Sequence, residues 1–165
     1  MTRKVLASAA VIVATSIFAG QGAANAGTDR MKSETIGMNA PVKKVDSKDD
    51  GSLAIGKNPH SIYTWKHGDP PGDSSGSTVY AGHAWKKGNG VADDWGKFRP
   101  HDIIRVSGCK FEVTKKVEYW SIAKTKKKMK RLYRVDGPPL IYLVGCKPDN
   151  YSKRTIVTAR LVSCS

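Results

Sequence analysis

Ile141-Tyr142-Leu143-Val144-Gly145-Cys146 is an unbroken apolar run that closes on a thiol. Gly137-Pro138-Pro139 precedes it and the polar turn Lys147-Pro148-Asp149-Asn150 follows it, so the run predicts a buried strand whose last side chain is a sulfur at a rim. Arg154 opens a second apolar run, Thr155 to Val162, which predicts the next strand. A thiol at the mouth of a sheet, with a guanidinium set by a neighbouring strand, provides two of the groups that cysteine acyl transfer requires. The third is a histidine within reach.

Outward from this pair the chain continues as short apolar or alternating runs. The spacing predicts strands over Ser52–Lys57, His60–Trp65, Thr78–Gly82, Asp102–Ser107, Phe111–Tyr119, Arg131–Val135, Leu140–Gly145 and Thr155–Val162. Pro70-Pro71-Gly72, Lys87-Gly88-Asn89-Gly90, Pro100, Ser107-Gly108 and Gly137-Pro138-Pro139 punctuate them. Short strands with little helix predict an all-β domain over residues 52–165, most simply an eight-stranded barrel with short helices or 3-10 turns between strands.

The opening residues have a different character. Arg3 and Lys4 precede an uncharged run from Val5 to Ala19, and Ala24-Asn25-Ala26 follows, the pattern of a secretory signal or short membrane anchor over residues 1–26. Residues 27–51 are polar, with Lys43-Lys44 and Lys48-Asp49-Asp50, and are expected to form a flexible linker. The domain is then expected outside the cytoplasm, secreted or attached to the outer face of the membrane. Loss of residues 1–26 removes Arg3 and Lys4 and no acid, lowering the formal charge from +14 to +12. So basic a domain is drawn to an anionic wall polymer or membrane surface; the export signal and the lack of a recognition motif argue against nucleic acid.

Cys109, Cys146 and Cys164 are an odd number, so at least one stays unpaired within the chain. Cys109 lies in a predicted turn and Cys164 at the C-terminal end, where a disulfide would staple the terminus, leaving Cys146 free. The alternative for Cys146 is an inert buried thiol. Of four histidines, His60, His67 and His101 flank or occupy turns and read as ordinary surface residues. His83 follows Val79-Tyr80-Ala81-Gly82 and so ends a strand, as Cys146 does. No His/Cys cluster has metal-ligand spacing, and neither metal nor cofactor is expected.

The order Ala81-Gly82-His83, then Leu143-Val144-Gly145-Cys146, then Lys153-Arg154-Thr155-Ile156-Val157-Thr158-Ala159 resembles the sortases, cysteine transpeptidases that attach proteins to the Gram-positive cell wall. The resemblance spans about Ser52 to Val162. The proline-glycine-rich approach Gly68-Asp69-Pro70-Pro71-Gly72 is most similar to classes F and E of actinobacteria. It implies the sortase barrel, Cys146 as nucleophile, His83 as acid/base and Arg154 as electrostatic partner, with Trp85, Val144 and Gly145 lining a substrate groove. It also implies a substrate with an LPxTG-like sorting signal cut between threonine and glycine, and a peptidoglycan cross-bridge amine as acceptor. The family's threonine-leucine-x-threonine-cysteine signature is altered: Tyr142 and Gly145 stand where the threonines are expected. Lys124 to Arg131, the densest charge run in the chain, falls where sortases carry a substrate-selecting loop. Two other readings compete. One is an L,D-transpeptidase-like cysteine enzyme, whose serine-histidine-glycine-cysteine pattern is missing. The other is a basic wall-binding protein on a sortase barrel that has lost catalysis.

Overall fold

The computed structural model describes residues 29–165. Nine strands, one α-helix and one 3-10 turn follow in the order β1 (Arg30–Ser33), β2 (Met38–Val45), β3 (Ile62–Trp65), β4 (Ser77–Gly82), the 3-10 turn (Trp95–Lys97), β5 (Ile103–Val106), β6 (Cys109–Val113), β7 (Glu118–Ser121), α1 (Ile122–Leu132), β8 (Leu140–Lys147) and β9 (Asn150–Cys164). The sheet order is β6-β5-β1-β2-β3-β4-β8-β9, and β9 also pairs with β6. That last pairing closes eight strands into a barrel, as expected from the sequence. β7 lies outside the ring: the long β9 uses Ala159–Cys164 to meet β6 and Lys153–Ile156 to meet β7.

Alternation places the core. On β6, Cys109, Phe111 and Val113 point inward; on β8, Ile141, Leu143 and Gly145 do. They meet Met31, Ile62, Tyr80, Trp95, Ile104 and Val157 in the barrel interior. β4, β8 and β9 are apolar on their outer face too, because α1 covers it: Val79, Trp120, Leu132 and Ile156 form a second cluster with half-buried Met129, Tyr142 and Val144. A sheet covered on both sides reads as a continuous apolar run, which is why Ile141–Gly145 shows no alternation. A disulfide joins Cys109 to Cys164, opposite each other on β6 and β9, and closes a separation of 55 residues.

Several expectations are corrected. Within the expected linker over 27–51, the described residues from 29 onward carry β1 and β2, which form a hairpin and are both barrel strands. Their inward positions, Met31, Ser33, Met38, Ala40 and Val42, do alternate. Small, polar or flexible side chains among charged neighbours hide the period. Gly37, at φ +63°, closes the turn that links them. Ser52–Lys57 is a loop with a single bridge, Leu53 to Ser47. Phe111–Tyr119 divides at residues 114–117 into β6 and β7. Arg131–Val135 forms no strand; α1 occupies 122–132. Lys, Ala, Met, Arg and Leu favour helix, Thr125, Met129 and Leu132 recur at three- and four-residue spacing, and the Ser121 hydroxyl caps the start by accepting from the Lys124 N–H at 3.1 Å. The leader reading of residues 1–26 lies outside the described residues. Among the described residues no helix is long and apolar enough to cross a membrane.

Candidate active site

β4 and β8 run parallel and adjacent although 57 residues separate the end of one from the start of the other. The register pairs Gly82 with Gly145. β8 and β9 are antiparallel, with Cys146 opposite Arg154. His83, Cys146 and Arg154 therefore leave three neighbouring strands at the same end of the barrel. Adjacent strands lie about 4.8 Å apart, so the register brings all three residues to one rim. By strand alternation half-buried Tyr142 and Val144 share a face of β8 with Cys146, but they pack against the cluster under α1, whereas Cys146, at the strand end, packs against the barrel cluster. Tyr142 and Val144 form a shallow apolar strip beneath α1.

The glycines before His83 and Cys146 have a steric cause. A Cβ on Gly82 would stand 2.7 Å from the Trp95 ring and 2.8 Å from Val91; one on Gly145 would stand 2.6 Å from the Ala92 Cβ and 3.2 Å from Trp95. The two form a slot for the indole of Trp95, which is fully buried and donates to the Met38 sulfur at 3.4 Å. Trp95 thus plugs the barrel under the rim. Gly145 faces this plug, so only its backbone borders the groove. Gly145→Thr, which writes the sortase hydroxyl back into the signature, is expected to destabilise the protein by about 1–3 kcal/mol through overpacking. Thermal melting checks this, and Ala92→Gly in the same chain should recover part of the loss; an unchanged melting temperature would contradict the slot.

His83 is half-buried, and its Nε2 lies 2.6 Å from the Gly56 carbonyl. A carbonyl only accepts, so Nε2 carries the hydrogen and Nδ1 is left for proton exchange. Gly56 holds its place against Tyr63, whose hydroxyl donates to the Asn58 carbonyl at 3.0 Å; a Cβ at Gly56 would stand 2.9 Å from that hydroxyl. The loop after His83 folds back on it, with the Ala92 N–H donating to the His83 carbonyl at 2.9 Å. Asp93 fastens this loop by accepting from the Trp85 and Gly90 N–H groups, both at 2.8 Å. Trp85 is 49% exposed and projects from it.

Cys146 is unpaired and half-buried. Arg154, also half-buried, donates from Nη1 to the Tyr151 carbonyl at 2.9 Å and the Lys153 carbonyl at 3.2 Å. These bonds curl the guanidinium onto its own hairpin, while the Arg154 backbone stands opposite Cys146. Among the described residues Arg154 forms no salt bridge. His60 and His67 are exposed, and exposed His101 pairs with Glu112 at 2.9 Å.

Sequence reading missed Gly56 and Tyr151. The Tyr151 hydroxyl is shielded from solvent and has no partner among the described residues. Burial, then the charge of Asp93, then that of Cys146, push its pKa upward, so the phenol keeps its proton. The signal was there: an aromatic residue directly after the polar turn that follows the cysteine. An unpaired buried hydroxyl contributes nothing to folding, so Tyr151→Phe is expected to hold or raise the melting temperature, by up to about 1 kcal/mol in stability. A clear drop would show that the hydroxyl is bonded.

A sortase domain model matches residues 31–162. Among solved structures the chain is similar to the sortase D5 transpeptidase of Clostridium perfringens, with 21% identity, 83% of this chain and 79% of that chain covered, and a TM-score of 0.61. It is similar to sortase A of Listeria monocytogenes, with 16% identity, coverages of 82% and 87%, and a TM-score of 0.64. Sortase C-1 of Actinomyces oris gives 20%, 82%, 73% and 0.64. At these identities the structures establish the fold. No curated protein matches the chain.

Proposed function

The chain belongs to the sortase family of cysteine transpeptidases, and from that premise we propose that it cleaves an LPxTG-like sorting signal between threonine and glycine and passes the acyl group to a peptidoglycan cross-bridge amine. The observation that carries this reading is the register that aligns Gly82 with Gly145 and Cys146 with Arg154.

The Cys146 thiol passes its proton to Nδ1 of His83, and the thiolate attacks the threonine carbonyl carbon, moving the charge to the carbonyl oxygen. Arg154 and the backbone N–H groups at the end of β8 stabilise that oxyanion, so the missing hydroxyl at position 145 is not required. His83 gives a proton from Nδ1 to the departing glycine nitrogen as the C–N bond breaks, leaving a thioester. An incoming amine then attacks the thioester, loses its proton to His83, and releases the Cys146 sulfur. Val144 and Tyr142 seat the residues beside the cleavage point, and Trp85 shields the thioester from water. The Pro70-Pro71-Gly72 approach to β4 supports a place near classes F or E. The protein works at the cell surface, with residues 1–26 directing export.

Incubating the protein with a fluorogenic LPxTG peptide and an amine acceptor tests the reading. Cleavage after threonine, with the acyl group recovered on the amine, is expected. Retention on cell walls without cleavage would favour a wall-binding protein that has lost catalysis.

A further inference from the structure

We infer that the groove selects substrates with acidic residues flanking the cleavage motif, through Lys124 and Lys128 on α1; this rests on the transpeptidase reading. The described residues carry a net charge of +12, and the segment from Tyr119 to Val135 holds seven cations and no acid. More than half of the excess is thus concentrated on one helix and its C-terminal exit. Within α1, Lys124/Lys128, Lys126/Lys130 and Lys127/Arg131 are like-charged pairs at i,i+4, an arrangement that disfavours the helix unless anions neutralise it.

Lys124 and Lys128 are set apart by direction. Their Nζ atoms lie 5.1 and 5.2 Å from the centre of the Trp120 ring, which holds both ammoniums over the indole. Trp120 pairs with Arg154 on β9, and Arg154 pairs with Cys146 on β8. The two lysines therefore stand at the edge of the thiol's own face, above the strip formed by Tyr142 and Val144. Of the nearby acids, Glu118 pairs with Lys115 at 2.6 Å and also feels the charge of Lys124, and Asp149 pairs with Lys147, so three lysines and Lys128 share two carboxylates. A peptide lying along the strip meets a net positive charge, and carboxylates beside its motif answer it. A wall polymer would find Lys126, Lys127 and Lys130 equally well, but would have no need of two ammoniums gathered over Trp120.

The test compares kcat/KM for three peptides with one LPxTG core and glutamate, glutamine or lysine on both flanks. At low salt the acidic peptide should lead the neutral one about five- to tenfold and the basic one by more, with the spread collapsing at high salt. Lys124→Glu with Lys128→Glu should reverse the order; Lys124→Gln with Lys128→Gln should bring the ratios toward one. Equal rates for all three peptides, or a wild-type order surviving the charge reversal, overturn the inference. So does poly(glycerol phosphate) inhibiting every peptide alike while peptide charge has no effect, which assigns the face to a polymer. If no peptide is cleaved, the transpeptidase reading fails instead, and the affinities of the three peptides measured by anisotropy still decide the charge preference.

Discussion

Replacing Cys146 by alanine is expected to lower kcat/KM for a sorting-signal peptide by at least about a thousandfold, because the proposed covalent intermediate forms on its sulfur. Cys109 and Cys164 are tied to each other, leaving one free thiol among the described residues. The loss should be almost entirely catalytic. The sulfur is half-buried, so alanine removes little packing, about 1 kcal/mol or less, and the melting temperature should stay close to the parent value. Cleavage that survives the substitution would remove Cys146 from the mechanism.

The second large effect is at Arg154. Arg154→Ala is expected to reduce kcat by about a hundred- to a thousandfold, the range for losing one preorganised oxyanion donor, with KM changing much less. The same side chain also steadies its hairpin through the Tyr151 and Lys153 carbonyls. Arg154→Lys separates the roles: it keeps the charge but loses the planar fork, so its rate should fall between wild type and the alanine variant. A lysine variant with full activity would mean that charge alone suffices. An alanine variant whose melting temperature collapses with its rate would mean that the guanidinium is mainly a structural clasp.

Much of this arrangement was legible in the residues. Strong apolar runs bounded by turn formers gave β3, β4, β5, β8 and β9 to within a few positions, and a sulfur and an imidazole at strand ends marked the rim. What stayed hidden has physical causes. β1 and β2 build their inward face from Met31, Ser33, Met38, Ala40 and Val42, too little apolar contrast to stand out against flanking lysines and asparagine. α1 reads as a charge run because its inward stripe is no more than buried Thr125 and Leu132 with half-buried Met129. Gly145 looked like a lost hydroxyl, whereas its neighbours Ala92 and Trp95 have taken the space a side chain would need. That exchange depends on residues fifty or more positions away, and no local pattern announces it. The Gly56 carbonyl on His83 was likewise beyond reach, since a backbone acceptor leaves no mark in the side-chain sequence.

The most direct measurement of the central claim is the intact mass of the protein caught during turnover of an LPxTG peptide, followed by mapping of the modified residue. Convergence of His83, Cys146 and Arg154 on one rim predicts a thioester on Cys146 that accumulates in wild type and in Arg154→Lys and is discharged when an amine is added. An unmodified Cys146 during active cleavage, or an acyl group on any other residue, would contradict it.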